Sequence, residues 1–528
     1  MILVRNLRLD IGQSKDTLRF KAAHELRVPV RAIKSFKIAK RSLDARKKND
    51  IHWLFSAVVA VDNEEKLLAK NKSKNLAKYD EIEYSVPRLA SDERPVVAGF
   101  GPGGMFAALV LSMAGLRPIV IERGADAETR KKKVDIFRSG GELDPECNVQ
   151  FGEGGAGTFS DGKLGTGIRD KRIRWILRTF YEHGAPESIL YDAKPHIGTD
   201  ILINVVQGIR ESIVKNGGEV LFNTKLTGLV TKNNALRAVK VTDERGEREL
   251  ACSNLILAIG HSARDTFEML EKSGVPMEAK PFSMGARIEH KQRDINLAQY
   301  GENSDALPAA DYSLNVHLPD GTSAYTFCMC PGGEVIAAAS EPGGVCTNGM
   351  SNSRRDSENA NSALLVTLQP EDFPYDGPLG GMRWQREIER AAFAVSESFR
   401  APAQTVGDFL SLRKSDGAGA VMPSYKPGVH WCDLHDVLPE RITGVLENAL
   451  PELGKKLKGF DAPDAVLTAP ETRSSSPVRI LRDDSRRSQI RGLYPCGEGA
   501  GYAGGITSAA VDGMKCAEAL IETLKFEE

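Results

Sequence analysis

The segment Gly99-Phe100-Gly101-Pro102-Gly103-Gly104 constrains this chain more than any other. It follows an apolar run, Pro95 to Ala98, that reads as a short strand. It opens a stretch of small and apolar residues, Pro102 to Ala114, that reads as a helix. A G-x-G-x-x-G between strand and helix has a defined use. Gly99 permits the tight turn, Gly101 lets the backbone approach a pyrophosphate, and Gly104 allows close helix–strand packing. Pro102, Gly103 and Met105 complete the first helical turn, whose unpaired N–H groups and positive dipole end suit phosphate. A second apolar strand, Pro118 to Ile121, ends in Glu122-Arg123. An acid about 20 residues past the fingerprint accepts hydrogen bonds from ribose hydroxyls. The expected ligand is a dinucleotide.

Two later segments belong with the first. Residues 254–259 form an apolar strand whose end, Ala258-Ile259-Gly260-His261, turns at glycine. Near the C-terminus, Tyr494 to Ile506 runs through Gly497-Glu498-Gly499 and Gly504-Gly505-Ile506 into a small-residue helix. Between the second strand and residues 254–259 lies Gln150 to Leu164, with five glycines among fifteen residues. That density excludes a helix or an ordinary strand. Gly154, Gly155, Ala156 and Gly157 can bring backbone N–H groups against a flat ring or a phosphate. Thr158, Ser160, Asp161 and Lys163 add hydroxyl, carboxylate and amine groups beside them.

These motifs together resemble a family of bacterial FAD-dependent dehydrogenases, labelled NAD(FAD)-utilising dehydrogenases, with a glutathione-reductase-type FAD-binding fold. The resemblance spans nearly the whole chain. It rests on 99–106, 122–124, 150–164, 472–480 and 494–506. It implies FAD as cofactor, with Glu498 (where Asp is commoner) on the ribityl chain. It also implies that the C-terminal helix points at the flavin ring. The implied fold class is α/β: a Rossmann-type FAD-binding domain built from 95–280 and 460–528. An antiparallel-sheet substrate domain, 281–459, is inserted into it, and residues 1–90 stand apart.

The first 90 residues read as β-α-β-β-α-β, with strands at 2–9, 32–40, 51–61 and 81–86 and helices at 14–26 and 63–70. That order suits an α+β ferredoxin-like accessory domain. The segment holds 20 Lys/Arg against 11 Asp/Glu, a net of +9, so a formal charge of −1 for all 528 residues leaves −10 for the rest. Arg31 to Lys48 carries eight basic residues and one acid. RNA or another polyanion is a candidate partner there, with Phe36 and Trp53 available for stacking.

Candidate catalytic or cavity-lining residues are Arg473, Glu341, Asn348 and Arg354. Arg473 could hold a substrate anion or stabilise reduced flavin, or simply pair with Glu471. His261 is a candidate cofactor contact. No redox cysteine pair follows the first helix, so the flavin disulfide reductases do not fit. No second dinucleotide fingerprint follows a strand, so electrons would come from NAD(P)H bound transiently, a protein donor or the substrate itself. Cys328 and Cys330 lack a second Cys/His pair at zinc spacing and read as strand residues. The eight scattered cysteines suggest a reducing, cytoplasmic setting. No run of about 18 apolar residues suggests a membrane span. The expected function is FAD-dependent hydride transfer on an unspecified substrate. The alternatives are a nucleic-acid-associated flavoprotein and an FAD-binding sensor without turnover.

Overall fold

The computed structural model describes residues 1–81 and 83–527, and the chain is mixed α/β. Its centre is a five-stranded parallel sheet in the order Leu493–Pro495, Leu255–Leu257, Val96–Ala98, Ile119–Ile121, Glu219–Leu221. The three inner strands are apolar, as a sheet covered on both faces requires. One edge strand comes from the last 40 residues of the chain. The sheet therefore draws on strands from 96 to 495 and is complete only when the last of them is in place.

The fingerprint helix, Pro102–Ala114, starts on proline and ends on Gly115 at φ +103, with Leu116 N–H donating to the Leu111 carbonyl. Proline at the first position and a left-handed glycine past the last are the expected start and stop. A Cβ on Gly104 would lie 1.9 Å from the Gly99 carbonyl oxygen. The helix can sit on its strand only because that atom is missing. The C-terminal helix, Ile506–Glu527, crosses it just as closely: a Cβ on Gly513 would lie 2.0 Å from the Gly103 oxygen.

Between the fourth and fifth strands of the sheet in chain order comes a seven-stranded sheet. Its order is Asn315–His317, Ser323–Cys330, Asn359–Leu368, Phe282–Lys291, Val466–Glu471, Ala401–Thr405, Val429–Trp431. All its pairs are antiparallel except the last. Helices Gly380–Ala394 and Glu440–Lys456 accompany it, the second packing on its strands.

Residues 1–78 form a four-stranded antiparallel sheet in the order Ser35–Asp44, His52–Ala60, Ile2–Asp10, Leu76–Lys78. Helices Thr17–Leu26 and Glu64–Lys70 belong to this unit, and Leu18, Ala22, Ala23 and Leu26 of the first are buried with the strands. The last strand lies at Leu76–Lys78, not at 81–86; position 82 of the expected strand is outside the described residues. The alternating apolar residues that suggested a strand have another destination. Tyr84, Val86 and Leu89 pack on the central body, with Tyr84 5.2 Å from Trp175 and hydrogen bonded to Glu518. Arg41 clamps the small unit to the body through a bidentate pair with Asp192. Among the described residues, no helix is long and apolar enough to cross a membrane.

Candidate functional site

Three chain turns meet at the carboxyl ends of the central strands. The turn Gly99–Gly103, the strand end Ala258–His261 and the segment Cys496–Glu498 all line one cavity. The glycine-rich loop closes a fourth side through Gly155, Ala156, Gly157, Ser160, Asp161 and Lys163. It reaches the fingerprint backbone to backbone: a Cβ on Gly155 would lie 2.8 Å from the Gly101 Cα. Gly504, Gly505 and Ile506 bring the start of the C-terminal helix to the same wall. Two helix N-termini therefore point partial positive charge at one space.

The cavity fits a dinucleotide. Carboxylates line it at Glu122 and Glu498. A Cβ added at Gly260 or Gly504 would meet nothing within 4 Å, so these two backbones face open space that a flat ligand can fill. Glu122 is already busy. Its oxygens accept N–H bonds from Phe100 (2.8 Å), Gly124 (2.9 Å) and Gly152 (2.8 Å), joining the fingerprint to the glycine-rich loop. A carboxylate has about four acceptor sites, so room for a further donor remains. Burial pushes Glu498 up to about 7, with Lys280 opposing. Burial, with Arg473 and Arg264, pulls His261 down to about 3, so its imidazole is neutral at physiological pH. Arg123 lines the wall and is paired to Asp265 and Glu146.

The remaining expected residues sort by position. Gly99, Gly101, Pro102, Gly103, Glu122, Arg123, Ala258, Gly260, His261, Gly497, Glu498 and Ile506 reach the cavity, as do Asn348 and Arg473. Gly104, Met105, Gly154 and Thr158 lie behind the wall. Gly104 and Met105 are packed into the core, and Thr158 fills the space beside Gly154. Glu341 stands outside the lining, held by Arg264 (2.6 Å) and Arg386 (2.8 Å). Arg354 is exposed and paired with Asp356. Its neighbour Arg355 turns inward instead and grips Asp161 at 3.0 Å.

Arg473 pairs with Glu389, not Glu471. Its Nε and Nη2 donate to the two Glu389 oxygens at 2.9 and 2.7 Å, and Arg264 binds the same carboxylate at 2.8 Å through both nitrogens. Burial alone would raise the Glu389 carboxyl, but the two guanidiniums outweigh it and hold it well below the usual range. Glu471 lines the cavity and is bound bidentate by the fully buried Arg287 at 3.0 and 3.1 Å. Burial pushes Glu471 up to about 7 against that pull.

Several positions carry no local sequence signal. Arg130 is fully buried beneath the glycine-rich loop and donates to the carbonyls of Asn148, Val149 and Glu153 at 2.9, 2.9 and 2.6 Å. Gln150, Cys328 and Glu471 also line the cavity.

A second concavity lies between the exposed face of the N-terminal sheet and the helix Arg172–Glu182. Eleven Lys/Arg and six Asp/Glu line it, with Phe20, Phe36, Tyr79 and Tyr181 among them. Phe36 is thus in the groove. Trp53 is not; it lies under the Arg41 guanidinium at 5.2 Å.

Residues 281–474 match the family described as "FAD-dependent protein, C-terminal domain-like". Residues 1–60 match a domain of unknown function, DUF8436. An "Uncharacterized protein" of Clostridium beijerinckii is 47% identical over 532 residues, covering 99% of this chain and 98% of that one. Among solved structures, the glycerol-3-phosphate dehydrogenase of Bacillus halodurans complexed with FAD is 12% identical. It aligns over 82% of this chain and 65% of its own, just under two thirds, with a TM-score of 0.39. The glycine oxidase of Bacillus cereus is 12% identical over 82% and 95%, with a TM-score of 0.31.

Proposed function

We propose that this chain, which belongs to one family with the clostridial protein, is an FAD-dependent oxidoreductase. Its cofactor is FAD, the cofactor of the family matched by residues 281–474. The observation that carries the reading is the single cavity on which two helix N-termini, the glycine-rich loop and the carboxylates Glu122 and Glu498 converge. In this reading the Pro102 helix start takes the pyrophosphate, Glu122 the adenosine ribose and Glu498 the ribityl chain. The start of the C-terminal helix faces the pyrimidine edge of the ring. This layout is that of the glutathione-reductase-type fold.

When bound, FAD supplies two-electron hydride chemistry, which the protein orients and tunes. Phe327, Cys328, Asn348 and Glu471 then form the substrate side. The neutral His261 brings no charge to the ring. The Glu389 carboxylate and the Ser340 hydroxyl fix Arg473 at the cavity wall, where its positive charge favours an anion. Residues 95–280 with 460–528 form the FAD-binding part, 281–459 the substrate part, and 1–90 a ferredoxin-like accessory unit.

The test is spectroscopic. Purified protein is expected to carry one FAD per chain and to bleach anaerobically with NADH or NADPH. Failure of both donors would end the pyridine-nucleotide dehydrogenase reading. Bleaching by dithionite, but by neither nicotinamide nor any organic donor, would favour a sensor without turnover.

The basic groove supports a second reading that is compatible with the first. An RNA strand held there would lie near the cavity, because Gly165 lines the cavity and Ile168, three residues on, lines the groove.

A further inference from the structure

We infer that Cys328 and Cys330 form a redox-active dithiol that exchanges an electron pair with the bound flavin. The inference rests on the FAD oxidoreductase reading and adds a second redox centre to it.

Cys328 is the one cysteine of eight that is not buried, and it lines the cavity beside Asn348 and Glu471. It belongs to the strand Ser323–Cys330, but its φ is +44, in the left-handed region that a non-glycine side chain rarely adopts. The register against Asn359–Leu368 shifts between Phe327 and Cys330. Alternation along a strand would keep residues two apart on one face but well separated; the bulge re-aims them. Cys330 Sγ donates to the Cys328 carbonyl at 3.2 Å, which brings the second sulfur against the backbone of the first. Strain of this kind in a buried strand persists only where the surroundings hold it.

The surroundings are built. The fully buried Arg287 donates through Nη2 to the Cys328 carbonyl at 2.9 Å and to Cys330 Sγ at 3.7 Å, while Glu471 holds its Nη1 and Asn361 its Nε. Gly349 packs on that guanidinium: a Cβ there would lie 2.1 Å from Nη2. The charges facing the pair are Arg287, Lys163, Asp161, Glu471 and Glu498. Cys330, with Lys163 and Arg287, lowers the Cys328 thiol against burial, while Cys330 is driven up. The sulfur open to the cavity is thus the more acidic of the two and the buried one the less acidic, the division of labour that dithiol exchange needs.

The step balances within the protein. Oxidised FAD and the dithiol give reduced FAD and a Cys328–Cys330 disulfide. One S–S bond forms, and two electrons pass to the flavin together with the Cys330 proton; a proton still held by Cys328 goes to the flavin or to solvent. The reverse step breaks the S–S bond and returns them.

The test counts electrons and thiols in the holoenzyme. After oxidation with ferricyanide and desalting, anaerobic dithionite titration is expected to consume four electrons per FAD. Cys328→Ser and Cys330→Ser are expected to consume two. Alkylation and peptide mapping of the oxidised wild type should find a disulfide joining 328 to 330. The buried neighbours Cys496 and Cys516, whose side chains also lie close, provide the control. Cys516→Ala should keep the four-electron uptake. Two electrons and eight free thiols in the oxidised wild type would overturn the inference while leaving the FAD reading intact. So would loss of the extra pair in Cys516→Ala. Absence of flavin bleaching would instead strike the FAD reading itself. Because the mapping uses wild-type protein, a variant that misfolds does not decide the matter.

Discussion

Arg130 shows how one side chain can set a binding wall from behind. Its planar guanidinium spans the carbonyls of Asn148, Val149 and Glu153, which point inward because the loop's N–H groups point elsewhere. Each buried carbonyl left without a donor costs about 1–3 kcal/mol. Arg130→Ala is therefore expected to lower Tm and to weaken FAD retention at least tenfold, read by flavin release on dilution. Arg130→Lys should not rescue it, since a point-like ammonium cannot reach three carbonyls at once. Unchanged FAD retention in both variants would refute this. Glu498 makes a pH prediction. Its folded value of about 7 lies above the 4.5 of an ordinary Glu. Across that interval the folded apoprotein holds a proton that the unfolded chain has released, so stability falls as pH rises and levels off above it. Urea midpoints of the apoprotein between about pH 5 and 8 should fall more steeply for wild type than for Glu498→Gln. Parallel profiles would remove Glu498 as the cause.

At the scale of elements, the site depends on two helices that cross through missing side chains. Gly513→Ala would drive a methyl onto the Gly103 carbonyl. Forcing an extra methyl into packed space costs about 1–3 kcal/mol, and here it also displaces the fingerprint turn. The expected result is a lower Tm together with loss of FAD. Gly444→Ala, in the helix Glu440–Lys456 with nothing within 4 Å of the added Cβ, should instead raise Tm slightly. If the two variants behave alike, close crossing is not what Gly513 provides. These elements also mark what the sequence could reveal. The turn at Gly99–Gly104, the loop from Gln150 and the segment at Gly497 were legible because local backbone chemistry dictates them. Arg287 and Glu471 were not, because they lie 184 positions apart in the chain and meet only once it folds. Arg354 is the sequence candidate while Arg355 is the residue that reaches Asp161, because nothing in sequence tells which of two adjacent side chains a turn will point inward. The stretch 81–86 imitates a strand because the apolar side chains of Tyr84 and Val86 pack on the body instead of in a sheet.

For the whole molecule, near-neutral charge conceals a separation. The basic excess of residues 1–90 meets the body along the groove between the N-terminal sheet and the helix Arg172–Glu182, where cations outnumber acids by eleven to six. The body adds to this excess locally through Arg169, Lys171, Arg174 and Arg178, despite its own net negative charge. A neutral or cationic ligand would not call for such a surface; a phosphate chain would, and the aromatic rings at its walls suit unstacked bases. Arg41 is not free for this purpose, because Asp192 takes it. Lys37, Lys40 and Lys171 are exposed and line the groove. Anisotropy of a short fluorescent oligouridine is expected to report salt-sensitive binding. Reversing these three charges (Lys37→Glu, Lys40→Glu, Lys171→Glu) should flatten the dependence of log K on log salt by about 2, at roughly 0.7 per phosphate contact. Flavin content and Tm should stay unchanged, since none of the three lines the FAD cavity. Equal binding before and after would remove the groove as an RNA site. Binding abolished by polyglutamate but indifferent to the reversal would assign the affinity to general charge attraction elsewhere on the molecule.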